Sequence, residues 1–153
     1  MRPVKADEKS VTFHVGPEEQ AIICEVLAMY PVVPPAHHLV TKNLQDGQTS
    51  EYQHLLDEAL AAQRASNKRH LEIWLATPNR FKPTDDGFEF KLSRSDFEWL
   101  LRVLNDIRVG AWLLLGSPEE TMERPSSRDP KVVRLWAAMQ VGAYFQTLLL
   151  REL

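Results

Sequence analysis

A single cysteine, Cys24, in a chain of 153 residues excludes an intramolecular disulfide and a cysteine-based zinc site, and it points to a reducing compartment. Long apolar runs are missing too. None approaches the ~18 residues of a membrane-spanning helix, and the opening MRPVKADEKS has no apolar core of the kind a signal peptide carries. These absences set the expectation of a cytoplasmic protein with no membrane partner. Neither sign of charge dominates: 18 Lys and Arg against 21 Asp and Glu leave −3, with no general pull toward phosphate backbones, which argues against nucleic acid. With six glycines in all, the chain has no P-loop or dinucleotide fingerprint, and it lacks a nucleophile elbow and an HExxH pair. No cofactor is expected, and no catalytic residue is assigned. His37 and His38 are adjacent, a poor spacing for a metal, and read as a solvated loop.

What is present is ordinary globular material, 44% hydrophobic and 25% charged, of a length that suits one domain over 1–153. Residues 1–10 read as a flexible lead. Val11, Phe13 and Val15 alternate with Thr12 and His14, the period of a half-buried strand over about 11–15. Gly16-Pro17 then opens a helix over about 17–30, faced by Ile22, Ile23, Val26, Leu27 and Tyr30. Cys24 falls within it as a small core residue. Phe88, Phe90 and Leu92 repeat the strand pattern over about 88–92, again directly before a helix. A lone strand is unstable, so the two are expected to pair. Between these units, 31–49 is a proline-rich and then polar connector, with Asp46-Gly47 as a turn. Residues from about 50 to 76 run without Gly or Pro, as one helix or as two meeting near Ser66-Asn67. Tyr52, Leu55, Leu56, Ala59, Leu60, Ile73 and Trp74 share a face there, interrupted by Gln63, Ser66, Asn67 and His70. The basic cluster Arg64, Lys68 and Arg69 reads as a solvated helix face. The expected fold is mainly α (α+β): a bundle of about four helices with a small two-stranded β ribbon.

The segment around which the rest is organised is SDFEWLLRVLNDIRVGAWLLLG, a helix over about 95–115. Ser95 with Glu98 suggests a capping box, and Gly116 followed by Ser-Pro suggests a left-handed stop. At about 100° per residue, Phe97, Leu101, Leu104, Ala111, Trp112 and Leu115 share one side, and other apolar residues widen the stripe until only Glu98, Arg102, Asn105 and Asp106 are polar. Arg108 lies in the middle of that stripe. A guanidinium stays charged, and burying it unpaired costs several kcal/mol, so something must meet it. Three readings stand: a network tying helices together or a side chain that snorkels out to water, an anchor for an anionic ligand or partner carboxylate, or an irregular helix that voids the wheel. Gln63 or His70 are its expected neighbours in a polar layer, with Asn105, Asp106 and Gln140 as further candidate binding residues. A last helix over about 130–151, opened by Asp129-Pro130, is apolar nearly all round; it is either a sandwiched core helix or partly a surface for self-association.

The run WLLRVLNDIRVGAWLLLGSPEE, followed by RLWAAMQVGAYFQTLLL, resembles an uncharacterised bacterial domain family, number 2017 in the unknown-function series. The positions that carry the resemblance are Leu104, Asn105, Asp106 and Arg108, then Gly116, Glu119 and Glu120, then Trp136 and Gln140, within roughly 94–150. The chain departs from the family's Gly-Thr-Arg-Leu-Gly segment, having Ala111 to Gly116 there instead. The family's genes commonly neighbour the one for ClpS, an adaptor of the Clp protease, a genomic association that implies no activity. The expectation is therefore a non-enzymatic interaction or regulatory domain with a protein partner not yet identified, linked through the resemblance to Clp proteolysis. The alternatives are a small anionic-ligand binder or enzyme built on Arg108, and a DNA-binding regulator.

Overall fold

In the computed structural model, residues 1–33, 46–118 and 128–151 are described. Eight elements follow in order: β1 (Arg2–Ala6), β2 (Ser10–Val15), α1 (Pro17–Ala28), α2 (Asp46–Ala76), β3 (Lys82–Thr84), β4 (Gly87–Ser93), α3 (Arg94–Leu114) and α4 (Pro130–Leu150). The strands form one antiparallel sheet in the order β1-β2-β4-β3. The expected two-stranded ribbon is therefore half of what is there. Its two strands are the central pair, in register with Val11 opposite Leu92, Phe13 opposite Phe90 and Val15 opposite Phe88. The edge strands escaped sequence reading because neither has a buried face: every residue of β1 and of β3 is exposed, so neither carries an alternating apolar pattern. β3 contains Pro83, tolerated because an edge strand has one side unpaired. Residues 2–6, expected to be flexible, are held against β2.

Val11, Phe13, Val15, Phe90 and Leu92 line the inner face of the sheet, fully or almost fully buried against Ile23, Val26 and Leu27 of α1 and Phe97, Leu100, Val103, Leu104, Ile107 and Ala111 of α3. Phe13 stacks on both Phe90 and Phe97, with ring centroids 5.6 and 6.4 Å apart. α3 also packs along α4, which buries Leu135, Ala138, Gly142, Phe145 and Leu149. Gly142 lets the helices approach: a Cβ there would lie 3.5 Å from Arg108 Cβ and from Leu104 O. Gly110 serves another crossing. The backbone of Val32 and Val33 lies across it so closely that a Cβ would sit 2.6 Å from Val32 C.

The caps correct one expectation. α3 begins two residues early, with Ser93 as N-cap accepting from Asp96 N–H at 3.1 Å, so Ser95 and Glu98 do not cap it. At the other end Gly116 adopts φ +85°, and the Gly116 and Ser117 N–H groups return to Leu113 O and Trp112 O, a Schellman stop. Asp129 caps α4 through Lys131 N–H at 2.8 Å with Pro130 in the first turn. α2 is one helix of 31 residues, and Asp46-Gly47 belongs to its first turn rather than to a β-turn. Only its C-terminal part meets the body closely: Leu71 and Trp74 are buried, Ile73 is 62% exposed, and nothing from Glu51 to His70 is buried. The wheel misplaced Ile73 because Leu71 and Trp74, not Ile73, set the phase of the docked face.

Candidate functional site

Arg108 is half-buried where α3 passes α4. The missing side chain at Gly142 leaves room for its stem. Nη2 donates to Asn105 Oδ1 at 3.1 Å, three residues back on the same helix. Nε is buried with no partner, which costs about 1–3 kcal/mol for an unmade hydrogen bond. Among the described residues no carboxylate forms an ion pair with this guanidinium. Beside it opens a cleft of about 660 Å³ lined by Val109, Trp112, Ser117, Met139, Gln140 and Ala143. The Schellman stop turns the chain so that Pro118 O accepts the Trp112 indole N–H at 2.8 Å, which fixes the ring at the rim with 39% of its surface exposed. The result is a fixed cation with an apolar wall and one side-chain amide. Among the described residues lining the cleft none has a carboxylate, imidazole or thiol.

A second cleft, about 580 Å³, opens among α2, α3 and α4 and is lined by Gln63, Asn67, Arg102, Asn105, Asp106 and Gln146 with Leu101. Its floor is a chain of hydrogen bonds: Gln63 Nε2 donates to Asn67 Oδ1 at 3.2 Å, and Asn67 Nδ2 donates to the buried Tyr30 hydroxyl at 3.2 Å. Burial raises the Tyr30 phenol above its ordinary range; Asn67 opposes this, and the neighbouring charge of Asp106 adds to it. The network joins the end of α1 to α2 and α3.

The six residues singled out from the sequence thus divide. Arg108 and Gln140 belong to the first cleft, where Asn105 reaches only through its bond to Arg108, and Gln63, Asn105 and Asp106 line the second. His70 belongs to neither: it stacks on Trp99 with centroids 4.1 Å apart and lies 3.7 Å from Asp96 Oδ1. Gln63 and His70 do not face Arg108. Residues two apart on a helix differ by about 200° in direction, so a partner reaching Asp106 cannot also reach Arg108. Trp112, Met139 and Tyr30 were assigned to apolar faces and missed as site residues. Trp112 is one turn after Arg108, and that spacing was the available signal. His37, His38, Glu119 and Glu120 lie outside the described residues.

Among the described residues no cluster of His, Cys, Asp or Glu is arranged to hold a metal ion, and no helix is long and apolar enough to cross a membrane. No protein-family model, curated protein or solved structure matches this chain.

Proposed function

We propose that this chain is a non-enzymatic interaction domain whose α3–α4 cleft receives the anionic chain end of a partner protein. The observation that carries the reading is Arg108: a guanidinium with a buried, unpartnered Nε and, among the described residues, no carboxylate paired with it. A carboxylate entering the cleft would supply the missing acceptor, and a charge-assisted bond of this kind contributes about 1.5–3 kcal/mol. Val109, Trp112 and Met139 would hold the apolar side chain of a terminal residue, and the Gln140 amide could meet its backbone. A bare phosphate would use the cation and leave that wall without a contact. The resemblance of residues 94–150 to the ClpS-neighbouring family is the ground for extending the proposal to a regulatory role around Clp proteolysis in the cytoplasm.

Affinity capture from host lysate tests this, with wild type compared against Arg108→Met. The expected result is a stoichiometric protein partner retained by wild type and lost by the variant while both melt at the same temperature. Binding of a synthetic copy of that partner's C-terminal peptide should then fall at least tenfold when its carboxylate is amidated. Equal capture by both proteins would remove Arg108 from recognition. A second reading, a free small anion in the same cleft, is favoured by the cleft being bounded on two sides by helices. It predicts an Arg108-dependent thermal shift with small aromatic carboxylates and an empty capture.

A further inference from the structure

The outer face of α2 carries a mostly apolar row that the described residues leave uncovered. Tyr52, Leu55, Ala59, Ala62 and Ser66 follow at spacings of three and four, and all five are exposed, Tyr52 by 52% and Leu55 by 54%. The row turned toward the body, Leu56, Leu60, Asn67, Leu71 and Trp74, lies about 100° round the helix from it. A helical segment of this length is marginal in water without a packed face. Charge along α2 identifies the occupant. Beside the row stand Glu51 and Glu58 toward one end and Arg69 toward the other, while Asp57, Arg64 and Lys68 fall about 160–180° round the helix from it. Glu51, Glu58 and Arg69 are exposed, and none of the three forms an ion pair with Lys, Arg, Asp or Glu among the described residues, although Glu58 lies 3.7 Å from His54.

We infer that α2 pairs antiparallel with α2 of a second copy of this chain, across a two-fold axis between residues 60 and 61. That operation sets Glu51 of each copy beside Arg69 of the other, whereas a parallel pair would set Glu51 against Glu51 and Arg69 against Arg69. It also gives a self-consistent set of layers. Ala59 meets Ala62 of the second copy at the axis, where two small side chains allow close approach; Leu55 meets Ser66; and Tyr52 meets Arg69, an aromatic face for a guanidinium. Glu51 stands next to that same arginine. An isologous contact of this kind closes on itself and stops at two copies. The inference is independent of the Arg108 cleft, which lies on the other helices.

Sedimentation equilibrium on three proteins tests it, each checked by circular dichroism and thermal melting to be folded. Wild type is expected to dimerise, more weakly as salt rises. An acid-to-base variant (Glu51→Lys, Glu58→Lys) and a base-to-acid variant (Arg69→Glu) are each expected to lose self-association by at least tenfold. Mixed one to one, the two variants should associate again, because each now complements the other. Ala62→Glu, placed at the axis, should abolish the dimer in either background. The inference is overturned by a wild type that stays monomeric across the concentration range, by a dimer insensitive to Ala62→Glu, or by variants that fail to associate on mixing.

Discussion

The Cys24 thiol is half-buried on α1, 3.6 Å from Gln20 Nε2, and burial pushes it above its ordinary value of 9.0. At neutral pH it is almost wholly protonated, and the thiolate is the species that reacts. Alkylation by iodoacetamide should therefore be slower than for a free cysteine at least tenfold at pH 7.5, and unfolding in urea should abolish the difference; a rate equal to the free amino acid would mean the site is open. Arg108 yields a stability prediction separate from its binding role. Arg108→Met keeps the stem under Gly142 and removes the unsatisfied Nε, so the melting temperature should hold or rise. Arg108→Ala removes the stem as well and should cost about 1–3 kcal/mol by denaturant titration. If both are silent, the side chain does not pack where α3 meets α4. Asp86 gives a pH dependence. The His14 hydrogen bond at 2.9 Å is the main reason its carboxyl is held below the ordinary 3.8, against a smaller desolvation effect that raises it. A depressed carboxyl contributes stability that is present above the unfolded value and lost as pH falls through the folded one. Wild type should thus lose stability more steeply below pH 3.8 than Asp86→Asn does; parallel acid limbs would show that the pair contributes nothing.

Two helical glycines make a matched experiment at the scale of elements. Alanine is worth up to about 1 kcal/mol over glycine inside a helix, so space decides the sign. At Gly142 a new methyl would make ordinary contacts at 3.5 Å, and Gly142→Ala should be neutral or stabilising by up to about 1 kcal/mol. At Gly110 the methyl would overlap the backbone of Val32 and Val33, and Gly110→Ala should destabilise by about 1–3 kcal/mol. Equal melting temperatures for the two variants would contradict the close crossing. Neither role was visible in the sequence, where both glycines read as members of apolar helices. What was legible followed burial. Phe13, Phe90 and their alternating neighbours announced β2 and β4 because one side of each is packed; Arg2–Ala6 and Lys82–Thr84 pack nothing and announced nothing. Caps were legible where a turn residue had one role, as at Gly116 and Asp129, and misread where Ser93 and Ser95 competed for the same helix start. Arg108 stood out because a cation in an apolar stripe breaks the pattern. Its surroundings did not, since which helix lies over it depends on tertiary packing that one helix's periodicity does not contain.

For the molecule as a whole, cohesion is uneven. The sheet, α1, α3 and α4 share one core, while α2 joins it near Leu71 and Trp74 and through the Asn67–Tyr30 bond. Amides with few buried neighbours exchange through local opening. Hydrogen exchange in dilute solution should therefore label residues 51–66 at least a hundredfold faster than 97–111, with protection of 51–66 rising at high protein concentration if two copies pair there. Equal protection of both segments in dilute solution would mean that α2 is held along its whole length. The docked end of α2 also gives the molecule an optical signature. Trp74 on α2 and Trp99 on α3 have ring centroids 6.4 Å apart at 54°, close enough for their indole transitions to couple, and the His70 ring lies flat against Trp99. The coupled pair spans the junction between the outlying helix and the body. Its near-ultraviolet circular dichroism therefore reports whether that helix is seated, without any label being attached.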